Sequence, residues 1–492
     1  MKSEGLKDVR KSTSLELAKF LTPLKKGSGL CYLRGRRRVG KSTILQDFHQ
    51  RKEFRLYYFS GILDESNLDT LRRFTKSWAQ YSENTLLDKI RDKELNWDLI
   101  FQDIVQFAKT NPVHIALDEI QWIAKNQSGF IGTLKNHWLS LEATKNCRII
   151  ICGSSNKFFK NFTGGEEQIL RGLKTRSDIV LPPFSLSEIH QKYGKNLKQE
   201  QTALLYMLLG GIPYYWNQLD FEKNFIQLLN QAFAESSTIF LEEEVDEILR
   251  LEFNQAGVKT IKKILKTLGL RGAPLVTIQK KTKLPTGTLA DSIEKLCEYN
   301  LLFEKTPVYS KKTLEIRRGS KYVMKDFYLN SYFTLIKPNE IKIRRNENQL
   351  LINDMFRWPT SFYHIENFTG ESFENLIEYI LTSSRERHEG LFKKLELQNI
   401  NFEVGTHWDK NMQIDLVLHR SDDQQDRWIE CKWTNSIDLI RQQILDLEIK
   451  HIPTDHKISP KKFLAIPIVA TKLLREFAEK HQVGLIEITD LF

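Results

Sequence analysis

The sequence lacks paired cysteines and long apolar runs, and each absence excludes a class of protein. Its five cysteines include no C-x-x-C pair and no ligand spacing typical of a metal site. This pattern argues against structural zinc and favours a reducing compartment such as the cytosol. The N-terminal segment has no apolar core of the signal-peptide type, and no later segment approaches about 18 uninterrupted apolar residues. We therefore expect a cytoplasmic protein that is neither secreted nor membrane-spanning.

The chain is long enough for three or four domains, and its charge is unevenly distributed. At about 100–200 residues per domain, one core does not serve 492 residues. The net charge is +11, but residues 255–345 alone hold 20 Lys and Arg against 7 Asp and Glu, a net of +13. Such a basic patch favours contact with a phosphate backbone. A solvated basic face, or contact with an acidic neighbouring domain, would give the same pattern.

A phosphate-binding loop is the most specific pattern in the sequence. Residues 35–42 read Gly-Arg-Arg-Arg-Val-Gly-Lys-Ser, which fits G-x-x-x-x-G-K-[ST], and an apolar run precedes them. The two glycines let the backbone turn its N–H groups toward phosphates. Lys41 would neutralise the outer phosphates, and Ser42 would offer a hydroxyl to Mg²⁺. Unless the match is due to chance, ATP is predicted to contact Gly35, Arg36, Arg37, Arg38, Val39, Gly40, Lys41, Ser42 and Thr43.

A second apolar run ends in two carboxylates. Residues 113–119 read Val-His-Ile-Ala-Leu-Asp-Glu, as expected of a buried parallel strand that carries acids to the C-terminal edge of a sheet. Asp118 is predicted to hold Mg²⁺, and Glu119 to act as the general base that activates the attacking water. Strands without a catalytic role often end in this way too, but the position after a phosphate loop favours hydrolysis.

A third apolar run ends in small polar residues. Residues 148–155 read Arg-Ile-Ile-Ile-Cys-Gly-Ser-Ser. Ser154 or Ser155 would lie between the two nucleotide motifs and contact the γ-phosphate, although an ordinary Gly-Ser turn fits equally well. Three apolar strands separated by helix-length segments predict a parallel, doubly wound α/β sheet with the nucleotide at its carboxyl edge.

The segments GRRRVGKST, LDEIQW, ICGSS, LPPFSLSEI and GGIPYYW together resemble the archaeal-type, STAND-like ATPases of the AAA+ superfamily over the first half of the chain. The resemblance implies a helical lid with a G-G-x-P-x-Y pattern, found here as Gly210, Gly211, Pro213 and Tyr214. It also implies that Pro213 faces the nucleotide as a conformational sensor. Relatives have Gly-Arg before the L-x-P-x-S segment, whereas this chain has Gly172-Leu173 between Arg171 and Arg176. An arginine finger is therefore not assigned.

Residues 255–345 follow the element order of a winged helix-turn-helix. Apolar residues at helical spacing predict one helix before Gly269, a short second helix from Thr277, and a third from Thr286 to Tyr299. The third helix would approach DNA. A hairpin would contact the DNA backbone through Lys311, Lys312, Arg317 and Arg318. The alternative is a scaffold that links domains, because phosphates would be repelled by three acids of the third helix, Asp291, Glu294 and Glu298.

The C-terminal region has an acid on a predicted helix, then two acids and a lysine on predicted strands. Glu374 lies in the segment ENFTGESFENLIEYIL, Asp415 lies in QIDLVL, and WIECKW supplies Glu430 and Lys432. Alternation puts Glu430 and Lys432 on one face of a strand, and Asp415 can lie beside them. Asp415 and Glu430 would bind Mg²⁺, and Glu374 would complete the metal shell. Lys432 would stabilise the attacking hydroxide or the pentacovalent phosphate.

This arrangement is similar to the core of the PD-(D/E)xK nucleases, and Gln442 and Gln443 on the next helix fit it as well. Many relatives of the ATPase family end in such a domain, with strands that read IDLV and ECKW. The bare pattern is weak, because a carboxylate beside a lysine is usually a solvated ion pair. The apolar neighbours of these charges favour a function. Such a domain can also retain its fold after losing cleavage.

The sequence thus predicts an α/β protein with four parts. Residues 1–180 form a P-loop core with a doubly wound parallel sheet, 181–254 a helical lid, 255–345 a winged helix-turn-helix, and 346–492 a restriction-endonuclease-like domain. The predicted function is a Mg²⁺-dependent ATPase whose nucleotide state gates an endonuclease-like domain that acts on DNA. The alternative is a nucleotide-switched regulatory or DNA-binding protein with an inactive nuclease-like domain. Self-association into a homo-oligomer is a further expectation.

Overall fold

The chain folds into two compact units, which comprise residues 1–183 and 184–492. The structure is a computed structural model that describes residues 10–22, 27–84, 89–126, 129–154, 159, 175–233, 242–250, 253, 255–307, 320–345, 365, 368–383, 385–408, 413–420, 425–450 and 459–492. Within this described part of the chain, none of the helices combines the length and the apolar character that crossing a membrane requires.

The first unit is built on a five-stranded parallel sheet. Its strands are Gly29–Arg34 (β1), Leu56–Ser60 (β2), Val113–Asp118 (β3), Cys147–Gly153 (β4) and Thr175–Val180 (β5), in the order β2-β3-β4-β1-β5. Its helices are Lys11–Leu21 (α1), Lys41–Gln50 (α2), Asn67–Ser82 (α3), Trp97–Ala108 (α4), Ile120–Asn126 (α5) and Phe130–Thr144 (α6). The predicted parallel α/β sheet is confirmed, with strands β2 and β5 added to the three that the apolar runs indicated.

The strand register brings the three sequence motifs of this unit to one edge of the sheet. Strand β4 lies between β1 and β3, and its residues pair with Arg34 at Gly153 and with Leu117 at Ile151. All three strands are buried because almost every side chain in them is apolar. The carboxyl ends of β1, β4 and β3 therefore lie side by side, as the crevice of a parallel sheet requires.

The second unit begins with helices and a short hairpin. The helices of the predicted lid are Leu186–Tyr193 (α7), Gln199–Leu209 (α8), Pro213–Trp216 (α9), Phe225–Phe233 (α10) and Glu242–Arg250 (α11). Gln255–Leu268 (α12), Leu275–Thr282 (α13) and Thr286–Glu298 (α14) lead to antiparallel strands Leu302–Lys305 (β6) and Lys321–Met324 (β7). This element order is the one predicted for the winged helix. The basic hairpin residues Lys311, Lys312, Arg317 and Arg318 lie outside the described residues.

The C-terminal part contains a mixed five-stranded sheet. Its strands are Phe402–Trp408 (β8), Gln413–Arg420 (β9), Arg427–Cys431 (β10), Lys461–Ala465 (β11) and Val483–Ile486 (β12), in the order β12-β11-β10-β9-β8. The pairs β8–β9 and β9–β10 are antiparallel, and the other two are parallel. The helices are Phe327–Ser331 (α15), Lys337–Arg344 (α16), Thr369–Thr382 (α17), Glu389–Lys394 (α18), Ile437–Ile449 (α19) and Lys472–Lys480 (α20). The restriction-endonuclease-like classification stays a prediction.

The lid helices pack onto the C-terminal helices within the second unit. Helix α8 contacts both α15 and α17, and its apolar side chains are buried. Close backbone contact orients the chain after α8, because Phe184 N–H donates to Gly211 O at 2.7 Å. A Cβ on Gly211 would lie 1.9 Å from Phe184 O, so no larger residue fits there. Pro213 is buried at the start of α9, and its role as a sensor stays a prediction.

Candidate functional site

The phosphate loop connects β1 to α2 through an unusual backbone. The φ angles of Gly35, Arg38 and Gly40 are 155°, 66° and 102°, in a region that glycine adopts most easily. A Cβ on Gly35 would lie 2.5 Å from Leu181 O. Helix α2 begins at Lys41, so its free N–H groups lie at the loop. This is the arrangement in which a helix N-terminus binds phosphate.

Lys41 is held by the loop and lies near the acid pair. Its side chain is buried, and Nζ donates to Gly35 O at 2.7 Å and to Arg36 O at 2.9 Å. Burial lowers the pKa of Lys41, while the nearby Cys152, Glu119 and Asp118 act in the opposite direction. The structure thus brings the predicted phosphate ligand and the predicted catalytic acids together in one site.

The carboxylate of Asp118 is fully buried at the end of β3, and both of its oxygens are engaged. Oδ2 accepts the Tyr58 hydroxyl at 2.8 Å, and Oδ1 accepts the Glu119 N–H at 2.9 Å. Burial, followed by the charge of Asp118, raises the pKa of Tyr58, so its hydroxyl remains a donor. The carboxylate of Asp118 and the hydroxyl of Ser42 are oxygen donors of the kind that Mg²⁺ prefers.

Glu119 has the environment of a general base. Burial, followed by the charge of Asp118, raises its pKa, whereas Lys41 and the side-chain amide of Gln121 lower it. A base whose pKa approaches the working pH transfers protons most effectively. Sequence reasoning missed Tyr58 and Gln121. The only signals were a hydroxyl in the apolar run LYYFS and an amide directly after the acids in LDEIQW.

The end of β4 lies between the loop and the acids, as predicted. Ser154 is buried there, and its Oγ has no hydrogen-bond partner within the described residues. Its predicted contact with a γ-phosphate stays a prediction, and Ser155 lies outside the described residues. Arg171 also lies outside them, as does the side chain of Arg176 on β5.

Arg10, which the sequence analysis did not select, clamps the phosphate loop. Its buried guanidinium donates from Nη1 to Pro182 O at 2.6 Å and from Nη2 to Val39 O at 3.0 Å. One side chain therefore ties the loop to the segment that follows β5. An arginine in a polar N-terminal stretch gave no signal of this role, because its acceptors are backbone carbonyls far along the chain.

A second cluster of charges lies in the C-terminal sheet. The antiparallel register pairs Leu416 with Ile429, which puts Asp415 beside Glu430 at the next position. Both acids are more than nine-tenths buried. Asp415 Oδ2 accepts the N–H of Cys431 at 2.9 Å. The ammonium of Lys450 donates to Glu430 Oε1 at 2.6 Å, so a cation already occupies one face of this carboxylate.

Glu374 on helix α17 belongs to the same cluster, and its pKa is raised because the carboxyl group is buried near other acids. Burial, followed by the charge of Asp415, raises the pKa of Glu374 to about 8. The same two causes raise the pKa of Glu430 to about 7, while Lys450 and Lys432 lower it. Among the residues that the structure describes, no three His, Cys, Asp or Glu side chains are spaced to hold a metal ion.

The two glutamines that fit the nuclease pattern, Gln442 and Gln443, donate hydrogen bonds to one aspartate of their own helix. Gln442 Nε2 donates to Asp446 Oδ1 at 2.9 Å, and Gln443 Nε2 donates to Asp446 Oδ2 at 3.3 Å. Both bonds stay within helix α19. Lys432 follows directly after β10 and is half-buried, close enough to Glu430 to lower its pKa.

Part of the basic charge in residues 255–345 is neutralised within the second unit. Helix α11, which lies just outside that window, supplies Glu242 to both Lys262 and Lys337. Helix α17 pairs with two more of these cations, because Arg271 contacts Glu371 and Lys305 contacts Glu378. The sequence left open whether these cations contact DNA or acids of the same protein, and for these four residues the partners are acids of the same protein.

The solvent-facing surface of helices α13 and α14 carries both signs of charge. Helix α14 buries Leu289, Ile293 and Leu296. Its acids Asp291, Glu294 and Glu298 are exposed, so they face the surface where they would repel phosphates. Helix α13 and the turn after it carry three exposed cations, Lys280, Lys281 and Lys283.

Comparisons with known proteins identify the first part of the chain. Residues 14–219 match an ATPase domain predominantly from Archaea, and residues 332–444 match a family described as archaeal and bacterial proteins of unknown function. An uncharacterized protein of Methanocaldococcus jannaschii is 23% identical over 432 residues, which cover 86% of this chain and 84% of that protein.

Solved structures resemble the chain only distantly. A Walker-type ATPase of Pyrococcus abyssi is 18% identical, with a TM-score of 0.47 over 66% of this chain and 95% of that chain. The ORC2 protein of Aeropyrum pernix, solved as ADPNP and ADP complexes, is 12% identical, with a TM-score of 0.44 over 70% and 94% of the two chains. The family comparison therefore depends on the sequence match, in which residues 14–219 are similar to an ATPase domain found predominantly in Archaea.

Proposed function

We propose that this protein is a Mg²⁺-dependent ATPase whose nucleotide state controls a C-terminal endonuclease-like site that acts on DNA. The observation that carries the first half is the convergence of Lys41, Asp118 and Glu119 at the carboxyl edge of the parallel sheet. A site for binding alone would need the lysine but not a partly buried carboxylate with a raised pKa, such as Glu119, beside it.

In the proposed reaction, each residue of the first unit has a separate task. The loop from Gly35 to Thr43 wraps the phosphates with its N–H groups, and Lys41 exchanges the loop carbonyls for the outer phosphate oxygens. Ser42 and Asp118 would hold Mg²⁺, which would neutralise phosphate charge when bound. Glu119 would take a proton from the attacking water, so that the hydroxide attacks the γ-phosphorus and the bridging oxygen leaves with ADP.

Two substitutions test this assignment. Lys41→Ala should abolish ATP binding, because Lys41 supplies the buried cation beside the phosphate loop. Glu119→Gln should retain ATP binding but lower turnover by about 10²-fold or more, because it removes the base and leaves Asp118 in place. Retained ATPase activity in the first variant, or equal loss of binding and turnover in the second, would contradict the assignment.

For the second unit, we propose a metal-dependent phosphodiesterase site in which Asp415 and Glu430, neighbours on β9 and β10, would hold the metal, with Glu374 near them on α17. The three acids lie close together among apolar residues, so their negative charges favour a bound cation. The ammonium of Lys450 already contacts Glu430 in this way. Carboxylate oxygens suit Mg²⁺. Lys432, at the end of β10, would stabilise charge on the attacked phosphate.

Control by nucleotide is supported by the packing of the lid on helix α17, which carries Glu374. Arg387 pairs with Glu188 of lid helix α7, and the rings of Tyr206 on α8 and Tyr379 on α17 lie 6.2 Å apart. Because the lid and the carboxylate cluster belong to one compact unit, a lid that moves with the nucleotide would carry α17 with it.

The second candidate is a nucleotide-switched regulatory or DNA-binding protein whose nuclease-like domain does not cleave. The near-complete burial of Asp415 and Glu430 favours it, because a phosphodiester must reach these oxygens to react. Lys450 also compensates Glu430 without any metal. In that case the raised pKa values would reflect a structural cluster rather than a catalytic one.

Cleavage assays separate the two candidates. Wild-type protein with plasmid DNA, ATP and Mg²⁺ or Mn²⁺ should release fragments under the first proposal. Asp415→Ala should weaken metal binding and cleavage together, whereas Lys432→Ala should keep metal binding and lose cleavage. ATP turnover should survive both changes. ATP turnover without any cleavage by the wild type would leave the regulatory candidate.

DNA contact by the helix-turn-helix has its own test. Neutralising the exposed cations of α13 and its turn, Lys280, Lys281 and Lys283, should flatten the salt dependence of duplex affinity by about 0.9 per lost phosphate contact. The matched control neutralises three exposed lysines of α12, namely Lys259, Lys263 and Lys266. Equal slopes for both triple variants and the wild type would assign the segment to scaffolding.

A further inference from the structure

The backbone at Glu119 is held in a conformation that needs support from its neighbours. Its φ angle is +47°, in the left-handed region that non-glycine residues rarely adopt. The turn is fixed by the bond from Glu119 N–H to Asp118 and by the Trp122 N–H, which donates to Glu119 O at 2.9 Å. Gly61 leaves the space that this turn occupies, because a Cβ there would lie 2.8 Å from Glu119 O.

The side chain of Glu119 is held by Gln121. The Gln121 amide Nε2 donates to Glu119 Oε2, and Gln121 is itself more than nine-tenths buried at the start of α5. The opposite orientation of the amide would bring two oxygens together, so the carboxylate decides which atom faces it. Gln121 Oε1 points at the backbone of β4, where a Cβ on Gly153 would lie 2.6 Å from it.

The other side of this amide has no partner. Gln121 Oε1 is buried and accepts no hydrogen bond within the described residues. An unsatisfied buried oxygen is unfavourable, and native proteins rarely keep one without a functional reason. Replacing the glutamine by an apolar residue of similar size would remove this unfavourable group, so packing alone does not explain its presence.

We propose that Gln121 is a positioning residue for the general base. By holding Oε2 of Glu119, the amide leaves Oε1 free and aimed at the attacking water. The inference rests on the proposed role of Glu119 in hydrolysis and adds a residue, Gln121, that orients the Glu119 carboxylate for this role. The water proton passes to Glu119 Oε1, the new bond forms between the water oxygen and the γ-phosphorus, and the bridging oxygen of ADP leaves with the electron pair.

The test is a double-mutant cycle on ATP turnover in the full chain. Gln121→Leu should lower kcat about tenfold, a part of what a general base contributes, while the Kd for ATP stays within about twofold of the wild type. Combined with Glu119→Gln, it should cause no further loss, because the amide acts only through the carboxylate. Gln106→Leu, at an exposed glutamine of α4, is the matched control and should leave kcat unchanged.

A second variant tests the position of the Gln121 side chain without replacing that residue. Gly153→Ala places a methyl group against Gln121 Oε1 and should shift the side chain, with a similar loss of kcat. Unchanged kcat in Gln121→Leu, or losses that add to those of Glu119→Gln, would overturn the inference. If Glu119→Gln itself turns over ATP at the wild-type rate, the proposed base is wrong, which is a separate result.

Discussion

The acidic cluster of the second unit should make its stability depend on pH, and Glu374→Gln isolates the effect. Burial, with the charge of Asp415, raises the pKa of Glu374 to about 8 from an ordinary 4.5. A carboxyl group whose pKa is higher in the folded state stabilises the fold fully below pH 4.5, and this contribution is lost as the pH rises through 8.

The magnitude follows from the size of the shift. A difference of about 3.5 units at about 1.36 kcal/mol per unit gives an upper limit of about 4–5 kcal/mol at pH 8 and above. Because the charges of Asp415 and Glu430 contribute to the raised pKa of Glu374, we expect about half of this value for the single substitution. Glu374→Gln, which cannot ionise, should therefore stabilise the protein by about 2 kcal/mol at pH 8 and by less than about 1 kcal/mol at pH 5.

The measurement is urea unfolding followed by tryptophan fluorescence, with a chelator present to remove divalent ions. Wild type and Glu374→Gln are compared at pH 5 and pH 8, and Glu479→Gln, at an exposed glutamate of α20, serves as the matched control. If the stability difference between wild type and Glu374→Gln is the same at both pH values, ionisation of Glu374 does not lower the stability of the fold. A Glu374→Gln variant that is less stable than wild type at pH 8 would contradict the prediction more directly.

Three further predictions follow from single contacts. Arg10→Ala should destabilise the first unit by about 3 kcal/mol and raise the KM for ATP, because one buried and one partly buried carbonyl lose a charged donor; unchanged urea unfolding and KM would contradict this. Gly211→Ala should cost about 3 kcal/mol or more in a urea titration, because its Cβ would overlap Phe184 O; near-neutral stability would show that the lid backbone adapts. Lys305→Met should cost about 2 kcal/mol by removing one partner of a largely buried pair, and adding Glu378→Leu should recover most of it.

Much of the first unit could be predicted from sequence because its determinants are local. Apolar runs of strand length identified β1, β3 and β4, and the residues that close them are the ones that meet at the sheet edge. A phosphate loop needs a particular backbone, and only glycine adopts it easily at Gly35 and Gly40. Strands β2 and β5 were not identified. Strand β5 reads TRSDIV, a mixture of polar and apolar residues that also fits other structures, and β2 is a run of only five residues, LYYFS.

In the basic segment, residues 255–345, the sequence shows the amount of charge but not its partners. Its net charge is +13, but charge along the chain does not reveal which cations meet acids in space. Lys262 and Lys337 converge on one carboxylate, Glu242, which lies just before the counted window. Charge that a sequence count assigns to a DNA-binding surface is thus partly used inside the protein.

The phosphate loop and the acid pair can be read from the amino-acid sequence, because they require fixed residue types at fixed short spacings. The distant groups that support them become visible only in the folded chain. Tyr58 holds Asp118 from another strand, Arg10 clamps the loop from the N-terminal helix, and Lys450 compensates Glu430 from the end of α19. These partners are close together only in the folded chain, where buried polar groups need hydrogen-bond partners. The spacing of residues along the sequence does not show which groups will be close.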